Sequence, residues 1–360
     1  MAMNDIKDCF GNNSKRYNEN TSDISIDALL KERQDFLTFC TPGHKQELCS
    51  DDISEWKGGE IFPKNSVAVA EEKTRQHYRV KKLRFLVNGA SIGIKASILC
   101  ASVDFVAPTF SHKSVFDGAK LAKVRAFTFC CGEEDGLPNL PTLNDYIQAF
   151  EKHPSAKMAV VTSPDYFGRT VQIEPISNWC KQNNKMLLVD ASHGAHFATR
   201  PDLFPKGGET FGDFAVLSAH KTLRALTQTA FGVCNNEQYF MRYDEAIDLL
   251  STTSPFYPFY AQLNSAIRFE IKNAQKYDEL KNACCELKKT ITCKQNDDFL
   301  RIVVDCKEHC EKVFDALVQN GIMPETYYGK YCIFIVTLSD SVQKVRKLKE
   351  ILKNTIGGNI

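Results

Sequence analysis

The sequence has almost no net charge. Its 360 residues carry 45 basic and 44 acidic side chains, which leaves +1. A balance that close provides no broad field to draw in nucleic acid or an anionic membrane surface. Long apolar runs are also missing. MAVV (158–161) and MLLV (186–189) are among the longest, far short of the roughly 20 residues that cross a bilayer. The opening MAMNDIKDCFGNNSKRYNEN has no apolar centre of a secretory leader. These absences predict a cytoplasmic protein with small-molecule partners, no nucleic acid and no membrane. Fourteen cysteines are present, yet none form a C-x-x-C pair or a Cys/His group with zinc spacing. No metal site is expected. The cysteines read as reduced thiols filling core positions, with a disulfide scaffold as the weaker alternative. There is no internal repeat, and compositional bias is confined to an Asn/Ser-rich start.

What is present is an alternation. KMAVVTSPDYFG reads as a strand entering a loop, ISNWCKQNNK as a helix, and MLLVDASHGAH and FAVLSAHKTL as buried strands with polar ends. Apolar strands separated by helices imply an α/β fold with a mostly parallel, doubly wound sheet. From about residue 271 a Lys-rich helix (271–289) leads into FLRIVVDC, a second helix, YCIFIVTL and a closing helix, a small C-terminal α+β domain. The expected organisation is an N-terminal arm (1–35), a large domain (36–270) and a small domain (271–360).

Ligands of such sheets sit beyond the carboxyl ends of the strands. Asp190, His193, Ser218, His220 and Lys221 fall there. Lys221 alone reads as a surface lysine. Asp190 ends an apolar strand, where a carboxylate needs a cationic or hydrogen-bonding partner or must cap a following helix. A pyridinium nitrogen is one such partner, and a lysine at the next strand end is the amine that pyridoxal phosphate (PLP) requires. VNGASIGIKASILC adds a turn at Gly89 and a helix start at Ala90 and Ser91, whose N–H groups suit an anion.

Together these segments resemble the Orn/Lys/Arg decarboxylase family of fold-type I PLP enzymes. The resemblance rests on TPGHK (41–45), LVNGAS (86–91), SHKSV (111–115), TSPDYFG (162–168), LLVDASHGAHF (187–197), SAHKTLRALTQ (218–228) and STTSPFYPFYAQLNSAIR (251–268), in that order. It implies a Schiff base between PLP and Lys221, with Asp190 on the pyridine nitrogen and His112 stacked on the ring. His193 would lie near the phenolic oxygen. Gly89, Ala90, Ser91, Ser218 and His220 would lie around the phosphate. Thr253 and Ser254 would arrive from the other subunit of a homodimer, and Gly43 and His44 would shape the entrance. Phe256, Tyr257, Phe259 and Tyr260, read as exposed, suit the dimer interface. The expected activity is decarboxylation of lysine, arginine or ornithine. Another PLP reaction, transamination or a lyase step, and a weakly PLP-binding non-catalytic homologue remain as alternatives. The phosphate loop departs from the family's hydroxyl-rich pattern at Ala90 and Ile92, which predicts weaker PLP binding. Arg224 either offsets that loss at the phosphate or faces solvent. Glu325 is a candidate partner for a basic side chain.

Overall fold

The computed structural model describes residues 64–357; the arm at 1–35 and the TPGHK motif with Gly43 and His44 lie outside them. In chain order the large part contains β1 (Lys82–Leu86), β2 (Phe105–Pro108), β3 (Ala126–Phe129), a two-stranded ribbon of β4 (Glu133–Glu134) and β5 (Leu137–Pro138), β6 (Met158–Thr162), β7 (Met186–Asp190), β8 (Phe214–Ser218) and β9 (Ala230–Cys234). Seven of these form one sheet in the order β1-β9-β8-β7-β6-β2-β3. The pairs from β3 through β8 are parallel, and β9 alone runs against its neighbours.

The central strands are apolar at successive positions because both faces are covered. In β7, Leu187 and Val189 enter a core beneath helices Lys64–Tyr78, Leu143–Lys152, Ile173–Gln182 and Tyr257–Asn273. Leu188 points the other way, toward helices Ala90–Ala101, Lys113–Ala122 and Phe240–Leu250. The alternation follows from the two-residue period of a strand. It gives the doubly wound, mostly parallel sheet that the sequence predicts.

A second sheet, β10 (Arg301–Asp305), β12 (Tyr331–Ile335) and β11 (Thr326–Tyr328) in that order, is antiparallel throughout. Ile302, Val304 and Phe334 pack with Leu280, Leu287 and Leu352 of its helices. Phe197 and Phe204, from the segment after β7, belong to this core too. Their rings stack 5.4 Å apart, and Phe204 stacks on Phe299 at 4.6 Å. The opposite face carries Val303, Tyr331 and Ile333 against Leu137 and Phe167, which joins the two sheets.

The Lys-rich stretch read as one helix is two, Tyr257–Asn273 and Lys276–Thr290. Arg200 Nη1 donates to the Ala274 carbonyl at the break, 3.2 Å away, and Asp278 accepts from the same nitrogen. That tertiary bond has no signature in local periodicity. A second difference concerns Phe256, Tyr257, Phe259 and Tyr260. Tyr257 is buried, and Phe259 and Tyr260 pack on the main core. The run is thus partly covered by its own chain rather than exposed as read, and only Tyr257 is fully buried.

Candidate active site

Asp190 and Lys221 come from neighbouring strand ends. Asp190 closes β7, paired with Val216 of β8. After Ser218, β8 gives way to a single helical turn, Ala219–Thr222, that carries His220 and Lys221. Asp190 is 4% exposed. Its Oδ1 accepts from the Ser192 hydroxyl at 2.5 Å and the Ser192 N–H at 3.1 Å, and no hydrogen bond reaches Oδ2 among the described residues. The chain continues through turns rather than a helix, so Asp190 is not a helix cap. A buried carboxylate with one oxygen anchored and one free fits a cationic N–H partner such as a pyridinium.

Lys221 Nζ lies 3.1 Å from His193 Nε2. Burial pulls the lysine's pKa below its usual range. Asp190 and Glu325 oppose that shift, and Arg301 adds to it. His193 is buried, and Tyr166 meets its ring edge-on at 5.3 Å. Its Nδ1 is 3.3 Å from Arg301 Nη2. Tyr166 donates to Glu325 Oε1 at 2.9 Å, and Glu325 is exposed. His112 caps helix Lys113–Ala122, its Nδ1 accepting from the Ser114 N–H at 3.2 Å, and it stands close enough to bear on His193 electrostatically.

The candidate anion cradle begins at Gly89, whose positive φ of 85° is a conformation suited to glycine. Among the described residues no side chain caps helix Ala90–Ala101 there, which leaves the first N–H groups of Ala90 and Ser91 without a side-chain cap. Gln228 fixes this turn against the lysine loop. Its carbonyl accepts from Gly89 N at 2.8 Å and its Nε2 donates to Val87 O at 2.7 Å. Ser218 Oγ is 3.3 Å from His220 Nδ1, which is also 3.2 Å from the Thr229 carbonyl. A phosphate fits the uncapped helix start with these groups alongside.

Thr252 N–H donates to Asn88 Oδ1 of the same chain at 3.3 Å. Thr253 and Ser254 are exposed beside it, and among the described residues no hydrogen bond joins either to Lys221. Arg224 is exposed, with its guanidinium over the Phe269 ring at 4.9 Å. It is engaged there rather than at the cradle.

Sequence reasoning missed Arg301, Tyr166 and Gln228. Gln228 and Tyr166 lie inside motifs already singled out. Arg301 announces itself only as a charge at the head of the apolar run RIVVD, and it is 1% exposed. Its stem occupies the space above Gly168, where a Cβ would meet Arg301 Cβ at 2.6 Å, and Gly168 has φ +79°. Gly168→Ala is expected to destabilise the fold by roughly 2–5 kcal/mol through left-handed strain and overpacking. Urea unfolding measures this, and an unchanged midpoint contradicts it.

The model of the family described as Orn/Lys/Arg decarboxylase, major domain, matches residues 48–318. An uncharacterized protein of Bacillus subtilis, YaaO, is 30% identical over 290 residues, 73% of this chain and 60% of its own. An arginine decarboxylase of the same organism is 27% identical over 215 residues, 57% of this chain and 43% of its own. The chain thus spans about half of the length of these curated relatives. Among solved structures, the lysine decarboxylase LdcF of Francisella novicida superposes with a TM-score of 0.78 at 16% identity, covering 92% of this chain and 60% of that one. Lysine decarboxylase A of Pseudomonas aeruginosa gives 0.79, also at 16%, covering 91% and 59%. A structure of SPT with PLP gives 0.66 at 15%, covering 94% and 85%. These likenesses establish a fold-type I architecture.

Proposed function

This chain belongs to the Orn/Lys/Arg decarboxylase family, and from that premise we propose that it is a PLP-dependent decarboxylase of a basic amino acid, with the cofactor carried on Lys221. The convergence of Asp190 and Lys221 at adjacent strand ends carries this reading. When bound, PLP supplies a protonated ring that draws off the electron pair left as carbon dioxide departs. Asp190 Oδ2 holds the proton on the ring nitrogen. His112 would lie against the ring face. The helix start at Gly89, Ala90 and Ser91, with Ser218 and His220, holds the phosphate. His193 sits beside the reacting amine. Glu325, held by Tyr166 near Lys221, pairs with the distal cation of the substrate. The test is release of carbon dioxide from lysine, arginine and ornithine with added PLP. Keto-acid formation in its place assigns a transaminase, and absent turnover with an absent borohydride-fixed adduct assigns a non-catalytic homologue.

The phosphate cradle bears on affinity. Ala90 and Ile92 bring no hydroxyl, and each hydrogen bond to a charged group is worth roughly 1.5–3 kcal/mol. PLP is therefore expected to dialyse readily, and Ala90→Ser with Ile92→Ser to tighten it by about tenfold or more. Equilibrium titration decides; tight binding in the unsubstituted chain shows the hydroxyls to be unnecessary.

The exposed Thr253 and Ser254 are assigned to the active site of a partner copy. A homodimer is the expected species in light scattering with PLP, and a fully active monomer removes that role.

A further inference from the structure

The contacts of His193 run in one direction. Arg301 Nη2 lies 3.3 Å from Nδ1, and Lys221 Nζ lies 3.1 Å from Nε2. A guanidinium keeps its protons in a protein and offers only N–H groups. A hydrogen bond from it requires the lone pair of Nδ1. The one proton of a neutral imidazole then sits on Nε2. An imidazolium is disfavoured, because the ring is buried above all, and Arg301, which keeps its charge, lies against it. Burial and this neighbour hold its pKa well below the ordinary histidine value. With Nε2 donating, Lys221 Nζ must accept, and an ammonium has no lone pair with which to do so.

We propose that Arg301 is a positioning residue that fixes His193 as the Nε2–H tautomer and so favours the uncharged, nucleophilic form of the Lys221 amine. The idea rests on the reading of Lys221 as the carbonyl-binding amine and names the device that prepares it. Other groups around the pair act both ways. Burial and Arg301 disfavour an ammonium at Lys221, and Asp190 and Glu325 favour it, with the net shift downward from the ordinary lysine value. Tyr166 faces the imidazole with its ring, not its hydroxyl, which is committed to Glu325. Arg301 is well placed for a fixed role. Among the described residues its Nε and Nη1 are buried without hydrogen bonds and His193 is its hydrogen-bonded side-chain contact, and Gly168 leaves room for its stem. Asp298, Asp165 and Glu325 supply the negative charge around it at longer range.

The experiment uses the full chain, freed of carbonyl ligands with hydroxylamine. Nitrogen-15 spectra of the histidine side chains report the His193 tautomer, assigned by comparison with His193→Gln. Competitive labelling with acetic anhydride reports the pH midpoint at which the Lys221 amine becomes reactive. The expected result at pH 7 is a neutral His193 protonated on Nε2, and a Lys221 midpoint at least about one pH unit below the usual ~10.4. Arg301→Gln, whose amide can donate or accept, is expected to give mixed tautomers and raise the midpoint by about one pH unit. Arg301→Lys, again donor only, restores both. An Nδ1–H tautomer or an imidazolium in the unsubstituted chain overturns the proposal, as does an ordinary Lys221 midpoint. Those spectra decide even where a variant does not fold. Neither readout involves PLP, so failure of the cofactor assignment registers separately, as absence of a borohydride-fixed PLP adduct.

Discussion

Lys221→Ala is expected to abolish covalent PLP attachment and to reduce turnover to background. Lys221 stands at the end of a central strand, beside Asp190 and in contact with His193. The neighbouring turn residues Ala219, His220 and Thr222 bring no second primary amine, and Arg224, the next cation along the chain, is turned onto Phe269. Nucleophilic catalysis by a lysine has no substitute when the amine is removed. Borohydride reduction of the PLP-loaded chain followed by peptide mass analysis measures the outcome. A labelled peptide from the variant, carrying the adduct on another lysine, sinks the assignment. The fold is expected to persist, because Lys221 sits in a single helical turn after β8 and is not a member of the hydrophobic cores.

Asp190→Asn separates binding from chemistry. The amide oxygen can still accept from Ser192, which preserves the turn after β7. The amide nitrogen then takes the place of Oδ2, and it donates where a pyridinium N–H needs an acceptor. The ring nitrogen is left unprotonated, and the electron sink is weakened. Loss of one charge-assisted hydrogen bond costs roughly 1.5–3 kcal/mol of affinity, about ten- to a hundred-fold. Saturating PLP overcomes that loss, whereas carbon dioxide release at saturation is expected to stay depressed by a larger factor. Equal losses of bound PLP and of turnover would show Asp190 to be structural. Among the site carboxylates this substitution is the informative one, since Asp190 is buried at the strand end whereas Glu325 is exposed.

The sequence made visible those parts of the fold and site that depend on neighbours along the chain. The apolar runs of β6, β7 and β8 declare buried parallel strands, and Asp190 and Lys221 are conspicuous as polar residues at their ends. Gly89 marks its own turn. Other parts depend on contacts that local sequence does not encode. Arg301 reaches His193 across 108 positions, and Tyr166 reaches Glu325 across 159. The helix break at Ala274 depends on Arg200. Phe256, Tyr257, Phe259 and Tyr260 look exposed as an aromatic run, yet the core beside helix Lys64–Tyr78 covers most of them. Composition cannot distinguish an aromatic that meets another helix of its own chain from one that meets a second copy.

The placement of Phe197 and Phe204 bears on the order of synthesis. They leave the large sheet and complete a core whose other members, Tyr277 through Leu352, are translated later. A nascent chain released only as far as β9 has both strand ends of the site, and two stacked phenylalanines that lack their later partners such as Tyr277 and Phe299. Arg301 and Glu325 are still to come at that stage. The ribosome must therefore finish most of the polypeptide before the pocket closes, and until then the early half exposes apolar surface of the kind that invites aggregation.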